Sequence, residues 1–226
     1  MIHAAGIKDV RYCEEHPEEA YKVNSIGTRN VAQACNSVSA KMIYISTDWV
    51  FAGDSGNYLE NDTPKPTSVY GKTKLLGERL AAEILSNLAI CRSGGIYGRC
   101  SPLLSWINNE LDQGNEVECF TNIFNSPTFV VNLAEHINSI IELDLRGVFH
   151  IVGKQRANRY EFFNTYAKTF GYREELIKKT TYNKRNTKFL LHDSSLSIKF
   201  TSSILGGNFN SIEEGFLRMK SQGGVA

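Results

Sequence analysis

A tyrosine and a lysine four residues apart, Tyr70 and Lys74, have the residue types and spacing best suited to acid–base chemistry in this chain. The surrounding pattern predicts the start of a helix, so both side chains would leave the same face. A tyrosine hydroxyl has an ordinary pKa of about 10, and a nearby cation stabilises its phenolate. The pair could donate or accept a proton, but a surface helix with a chance lysine explains the spacing equally well.

A further hydroxyl, that of Thr47, follows a short apolar run at residues 42–45 that predicts a buried parallel strand. Ligands of open α/β sheets bind beyond the carboxyl ends of the strands, so Thr47 should lie where Tyr70 lies. Its hydroxyl could hold a substrate carbonyl or alkoxide during proton transfer. The three residues together are a far stronger catalytic signal than the Tyr–Lys pair.

The elements that must position these residues alternate between apolar strands and amphipathic helices. This pattern predicts an α/β fold, with a Rossmann-like parallel sheet covered by helices on both faces. Besides residues 42–45, strands are expected at residues 88–91, 117–120 and 148–152. Shorter helices are expected around residues 103–111, 133–141, 160–170 and from 211 onward. The character changes after residue 153, which predicts a dinucleotide-binding domain over 1–153 and a smaller C-terminal α/β substrate lobe over 154–226.

The two longest predicted helices each carry one apolar stripe. The first spans about five turns from Pro17, and its stripe is Ala20, Val23, Gly27, Val31 and Ala34. The second begins near Ser68, and its stripe is Val69, Leu76, Leu80 and Ile84. Gly71 and Gly77 lie inside the second helix, where each costs roughly 1 kcal/mol. That penalty favours a close backbone approach at both positions.

Composition and charge argue against several classes of function. A formal charge of +1 gives no basic surface for nucleic acid, and the basic pairs at residues 178–179 and 184–185 are expected to be solvated. No apolar run approaches the ~20 residues that span a bilayer, and no signal-type segment opens the chain, so we expect a cytoplasmic protein without membrane contact. Scattered cysteines and histidines predict free thiols and no metal site.

Short motifs in a fixed order add a second line of argument. They are HAAG at residues 3–6, YKVN at 21–24, STDWVF at 46–51, YGKTK at 70–74, RSGGIYG at 92–98, SPT at 126–128 and GVFH at 147–150. Together they resemble the extended short-chain dehydrogenase/reductases, and most closely the dTDP-4-dehydrorhamnose reductase group. The resemblance covers residues 1 to about 170 and is weaker beyond, where residues 193–196 are similar to a further family segment.

The resemblance implies a role for each site residue. Tyr70 would protonate a keto oxygen, Lys74 would bind the nicotinamide ribose and tune Tyr70, and Thr47 would orient the oxygen. The implied contacts with the cofactor, NADP or NAD, are Ala4, Ala5, Ile45, Ser46, Tyr70, Lys74, Gly94 and Ile96. The implied contacts with a nucleotide-linked sugar are Asp48, Trp49 and Val50. Trp49 could equally be a core aromatic residue, and Asn24 would make local hydrogen bonds near the site.

One family segment has no counterpart in the sequence. It is the opening strand, followed by a G-x-x-G-x-x-G turn and a helix whose N-terminus binds the cofactor's pyrophosphate. We therefore expect an N-terminally truncated sheet in which the strand at residues 2–4 is an unpaired edge that promotes self-association or homo-oligomerisation. The residue that selects NADP or NAD belongs to the same segment.

Three functions remain open on this evidence. The first is an NAD(P)H-dependent reductase of a nucleotide-linked 4-keto sugar. The second is a nucleotide-sugar epimerase or dehydratase, which uses the same tyrosine and lysine but regenerates its cofactor. The third is a non-catalytic regulatory or binding protein, as in the related regulatory subunit of methionine adenosyltransferase. The STD-x-VF motif favours the first, whereas the absent glycine turn favours the third.

Overall fold

The computed structural model describes residues 1–183 and 190–223. The strands are β1 (Ile2–His3), β2 (Met42–Thr47), β3 (Leu88–Ser93), β4 (Ile96–Tyr97), β5 (Val117–Phe120), β6 (Phe124–Asn125), β7 (Thr128–Phe129), β8 (Gly147–His150), β9 (Ala157–Asn158) and β10 (Ile177–Thr180). The helices are α1 (Val10–Glu15), α2 (Pro17–Tyr21), α3 (Thr28–Ser37), α4 (Val69–Ile84), α5 (Pro102–Asp112), α6 (Val130–Glu142), α7 (Arg159–Phe170), α8 (Lys199–Leu205) and α9 (Ile212–Ser221). The predicted solvated pair at 184–185 lies outside the described residues.

The main sheet is parallel and has the strand order β1-β2-β3-β8. Met42 and Tyr44 of β2 pack with α3 and α4 on one face, and Ile43 packs with α6 on the other. The predicted α/β class, with helices on both faces, is confirmed. In the described chain β1 pairs only with β2, so it is the edge strand, whereas association through that edge stays a prediction.

The strands at the centre of the sheet are longer than their apolar runs. The strands expected at 42–45 and 88–91 each continue for two polar residues, and the ladder ends with Thr47 opposite Ser93. The strand expected at 148–152 is Gly147–His150. Apolar runs underestimate strand length here because the carboxyl ends of β2 and β3 line a cavity rather than the core.

A second hydrophobic core lies beside the sheet. It joins α5, β5, α7, β10 and α9 through aromatic residues that include Tyr97, Phe163, Tyr166 and Phe216. The packing crosses residue 153, because α5 and β5 belong to this second core and Phe209 packs back on the main sheet. The two-domain division at that residue stays a prediction.

The helix expected from Pro17 continues to Ser37 through a π-helical segment, Lys22–Gly27, so it spans about six turns rather than five. Its buried side is Ala20, Asn24, Ser25, Thr28, Ala32 and Cys35. The predicted stripe was wrong at Val23, which is 38% exposed, and at Ala34, which is also exposed, whereas Val31 packs against the core on α4 and β2. The wider π turn shifts the following residues around the helix axis, which a constant 3.6-residue period does not anticipate.

The apolar stripe predicted for α4 was also wrong. Its four members are only partly buried, and the fully buried face is Gly71, Thr73, Lys74, Leu75, Gly77, Glu78 and Ala81. A Cβ atom on Gly71 would lie 2.1 Å from the Trp49 carbonyl oxygen, so position 71 of this face cannot hold a side chain. The predicted close backbone approach at both glycines is confirmed.

No helix in the described ranges is both long enough and apolar enough to cross a membrane.

We predict opposite effects for two glycine-to-alanine substitutions. A Cβ on Gly77 would meet the Asn24 carbonyl oxygen and the Tyr44 hydroxyl at 2.7 Å, so Gly77→Ala should lower the free energy of unfolding by about 1–3 kcal/mol. A Cβ on helical Gly27 would meet only the Lys22 carbonyl oxygen at 3.6 Å, so Gly27→Ala should raise it by roughly 0.5–1 kcal/mol. Urea denaturation measures both values. Equal effects of the two substitutions would contradict the proposed packing of α4.

Candidate active site

A cavity of about 720 Å³ opens beyond the carboxyl ends of β2 and β3, where open α/β sheets bind their ligands. Its wall contains the three predicted catalytic residues, Thr47, Tyr70 and Lys74. It also contains the predicted contacts Ala4, Ile45, Ser46, Asp48, Trp49, Gly94 and Ile96. The fold therefore brings most of the predicted site residues around one space.

Two predicted contacts lie elsewhere. Ala5 is exposed and does not line the cavity. Val50 is fully buried in a core cluster with Phe51, Leu75, Val152 and Leu196, so its predicted contact with the sugar is wrong. A 3-10 turn over Asp48–Val50 is the reason, because it leaves Asp48 and Trp49 in the cavity wall and places Val50 in the core.

Thr47 is held by the turn that it begins. Its hydroxyl donates to Asp48 Oδ1 at 3.0 Å and accepts from the Trp49 N–H at 3.3 Å. Asp48 is buried and also accepts from the Ser194 hydroxyl at 2.6 Å. Burial raises the pKa of Asp48 to about 6, although both hydroxyl donors stabilise the charged form.

Tyr70 begins the first turn of α4, where Ser68 caps the helix by accepting from the Gly71 N–H. The Tyr70 ring lies edge-on to Trp49, with 6.1 Å between the ring centroids. Burial raises the pKa of Tyr70 to about 12, and a hydrogen bond with Thr47 partly opposes this rise. Tyr70 is therefore protonated at neutral pH and able to donate its proton.

Lys74 lies one turn further along the same face of α4. Its Nζ donates to the Ile45 carbonyl oxygen at 2.8 Å and lies 4.1 Å from the centroid of the Tyr44 ring. Burial lowers the pKa of Lys74 to about 8, and the charge of Glu78 opposes this decrease. The ammonium is thus still largely charged at neutral pH and can stabilise a phenolate.

Asn24 fixes the loop that follows β1. Its side chain accepts from the Ile7 N–H at 2.8 Å and donates to the Ile7 carbonyl at 3.0 Å and to Thr73 Oγ1 at 3.1 Å. A Cβ on Gly6 would lie 2.9 Å from Asn24 Oδ1, so this approach requires glycine. The π-helical segment thereby connects one wall of the cavity to α4.

Comparison with known proteins places this geometry in a family. Residues 1–218 match the family model described as the RmlD substrate binding domain. The chain belongs to this family.

Several relatives in the RmlD family are reductases. The chain is 31% identical to dTDP-4-dehydrorhamnose reductase of Mycobacterium tuberculosis, with 71% of this chain and 55% of the relative aligned. It is 29% identical to the probable low-salt glycan biosynthesis reductase Agl14 of Haloferax volcanii, over 79% of this chain and 62% of that protein. The chain thus spans little more than half the length of these curated relatives. Its fold matches dTDP-4-dehydrorhamnose reductase of Bacillus anthracis in complex with NADP, with a TM-score of 0.91, 28% identity and coverage of 98% and 79%.

Part of the cavity and its supporting contacts was not predicted from the sequence. The hydrogen bond from Ser194 to Asp48 was not found, although residues 193–196 resembled a family segment. The part of the cavity wall formed by residues 99–102 was also not predicted, because it follows the RSGGIYG motif and belongs to none of the motifs named above. Within the described ranges no three His, Cys, Asp or Glu side chains converge as metal ligands.

We predict that Asp48 makes stability depend on pH. Because its folded-state pKa is about 6 and its ordinary value is 3.8, its protonated form favours folding below pH 4, and this contribution is lost as pH rises through 6. The shift corresponds to about 3 kcal/mol. Asp48→Asn removes the titration, so its stability relative to the unmodified chain should rise by about that amount between pH 4 and pH 7.

Urea denaturation at one-unit pH steps tests this prediction. Glu83→Gln, which changes an exposed carboxylate on α4, is the control and should give a nearly constant difference. A constant difference for Asp48→Asn as well would show that Asp48 titrates normally.

Proposed function

We propose that the protein is an NAD(P)H-dependent reductase of a nucleotide-linked 4-keto sugar. The observation that carries this proposal is the arrangement of Thr47, Tyr70 and Lys74 around one cavity at the carboxyl edge of the sheet. Relatives named dTDP-4-dehydrorhamnose reductase support the substrate class. Because the chain spans only part of their length, activity is a proposal for this chain.

The side chains supply the proton half of such a reaction. A bound nicotinamide would supply hydride to the keto carbon. Tyr70 gives its proton to the keto oxygen, and the Lys74 ammonium stabilises the phenolate that remains. Thr47 holds the oxygen beside Tyr70 when its hydroxyl proton turns from Asp48 toward the substrate. One hydride and one proton convert the ketone to an alcohol.

The cavity fits the nicotinamide half of the cofactor. Ala4, Gly6 and Gly94 give its wall small side chains, which allow a flat ring to approach the backbone. Within the described residues the Lys74 ammonium donates a hydrogen bond to the Ile45 carbonyl, so further N–H donors remain for ribose hydroxyls. A related structure contains NADP, which supports a nicotinamide dinucleotide, NADP or NAD, as the cofactor.

A second cavity, of about 340 Å³, fits the nucleotide half of the substrate. It shares Gly95, Ile96, Tyr97 and Ser101 with the first cavity, so one ligand can occupy both. Its wall includes the aromatic residues Trp106, Phe120, Phe162 and Phe163, which suit base stacking. Arg159 also lines it, and within the described residues no carboxylate forms an ion pair with this guanidinium. A diphosphate would supply the missing counter-charge.

A non-catalytic function is the second candidate. The chain is 29% identical to methionine adenosyltransferase 2 subunit beta of Bos taurus over 75% of this chain and 54% of that protein.

An epimerase uses the same tyrosine and lysine, but the STD-x-VF motif favours a reductase. Structures of epimerases and dehydratases match at about 20% identity and support the fold alone.

We predict that a form of the protein extended by the family's strand, glycine turn and helix oxidises NADPH or NADH in equal amount with dTDP-4-dehydrorhamnose. In this form Tyr70→Phe should lower kcat by about two orders of magnitude or more. The ring remains and only the transferable proton is lost, so the KM for the cofactor should change little. Absorbance of the reduced nicotinamide at steady state measures both parameters. Tyr12→Phe, at a partly exposed surface tyrosine, is the matched control.

Other outcomes identify the alternatives. Product formation without net loss of reduced nicotinamide would indicate an epimerase. Binding of cofactor and substrate without turnover would favour the non-catalytic function. A wild-type kcat for Tyr70→Phe would exclude Tyr70 as the proton donor.

We also predict that thymidine diphosphate quenches the fluorescence of Trp106, which is 45% exposed in the second cavity. Arg159→Met should weaken binding about tenfold or more, because a charge-assisted contact to phosphate is lost. Arg146→Met removes an exposed arginine outside both cavities and should leave affinity unchanged. Quenching that persists in Trp106→Phe would instead place the ligand beside Trp49.

A further inference from the structure

A buried carboxylate on α4 is not explained by proton transfer. Glu78 is 4% exposed and lies one turn beyond Lys74. Its Oε1 accepts from Arg92 Nε at 3.1 Å, its Oε2 accepts from Arg92 Nη2 at 2.8 Å, and Oε1 also accepts from the Ser46 hydroxyl. A buried ion pair is weak evidence for stability, because apolar residues of similar volume often stabilise as well.

The partners of Glu78 belong to the strands that form the cavity. Ser46 of β2 and Arg92 of β3 are opposite each other in the parallel ladder. Glu78 contacts both side chains, so one carboxylate joins α4 to two neighbouring strands. The hydroxyl of Ser46 is engaged by this contact, although Ser46 also lines the cavity.

Two successive turns of α4 therefore contact two successive residues of β2. Lys74 donates to the Ile45 carbonyl, and Glu78 accepts from the Ser46 hydroxyl. Thr47 is the next residue of β2, and Tyr70 lies one turn before Lys74 on α4. The distance between the two reacting hydroxyl groups thus depends on the axial position of α4 along β2.

We propose that Glu78, held by Arg92, is a positioning residue that fixes α4 along β2 through Ser46 and so aligns Tyr70 and Lys74 with Thr47. This inference rests on the proposed reductase function. The alignment itself is a property of the folded chain and can be measured without turnover.

The charge of Glu78 also acts on Lys74 directly. Burial lowers the pKa of Lys74, and the negative charge of Glu78 raises it. The group that sets the position of α4 thereby also keeps the Lys74 ammonium charged.

Ser46→Ala is the decisive variant, because it removes one hydroxyl and leaves the Glu78–Arg92 ion pair intact. Glu78→Gln is less suitable alone, since it leaves the buried Arg92 charge without a counter-ion. We expect Ser46→Ala to lower kcat about tenfold or more through misalignment, with an unchanged KM for the nucleotide sugar. Ser37→Ala, at an exposed serine, is the matched control.

The reactivity of Lys74 provides a readout that does not need catalysis. Acetic anhydride labelling followed by peptide mass spectrometry gives the rate at each pH. We expect faster labelling of Lys74 in Ser46→Ala, because its contact with Ile45 is loosened, and in Glu78→Gln, because its pKa falls. Should the form extended by the family's glycine-turn segment show no turnover, the reductase proposal fails and the labelling rates still test the positioning role.

A purely structural role gives a different result. In that case Ser46→Ala lowers the midpoint of thermal unfolding but keeps the wild-type labelling rate of Lys74 and, where turnover occurs, the wild-type kcat. That result would overturn the proposal.

Discussion

The close contact between α4 and the end of β2 is the constraint on which the site depends. Gly71 allows the first turn of α4 to lie against the Trp49 carbonyl, and Gly77 allows the third turn to lie against Asn24 and Tyr44. A helix at this distance can bring a phenol and an ammonium to the edge of the sheet. Because α4 lies so near the sheet, polar groups between them are buried and must be hydrogen-bonded or ion-paired. The buried charges of Glu78 and Arg92 pair with each other.

The fold class followed from the sequence because alternating strands and helices leave few solutions for burying their apolar faces. The positions of β2, β3, α4 and α7 followed from apolar runs of ordinary length. The residues that the helices bury did not follow from these runs. Apart from Leu75, the buried residues of α4 are small or charged, and a search for large apolar residues at helical spacing does not find them. In the helix from Pro17, the π segment changes which of the following residues face the core. No local residue pattern predicts that segment.

The sequence predicted those site residues that lie on elements close together in the chain. Thr47, Tyr70 and Lys74 lie on adjoining elements, so the rule for the carboxyl ends of strands brought them together. Val50 was misplaced because a 3-10 turn sends neighbouring side chains in different directions. Ser194 was missed because its contact with Asp48 joins distant parts of the chain, and spacing rules do not reach that far.

The hydrogen bond between Ser194 and Asp48 spans 146 positions. Because synthesis proceeds from the N-terminus, β2 and α4 are complete well before residue 194 is added to the chain. During that interval the Asp48 carboxylate lacks one of its two hydroxyl donors and cannot be buried at the same low cost. Met219 and Gln222 also line the cavity, so its wall can be completed only after these residues have been synthesised.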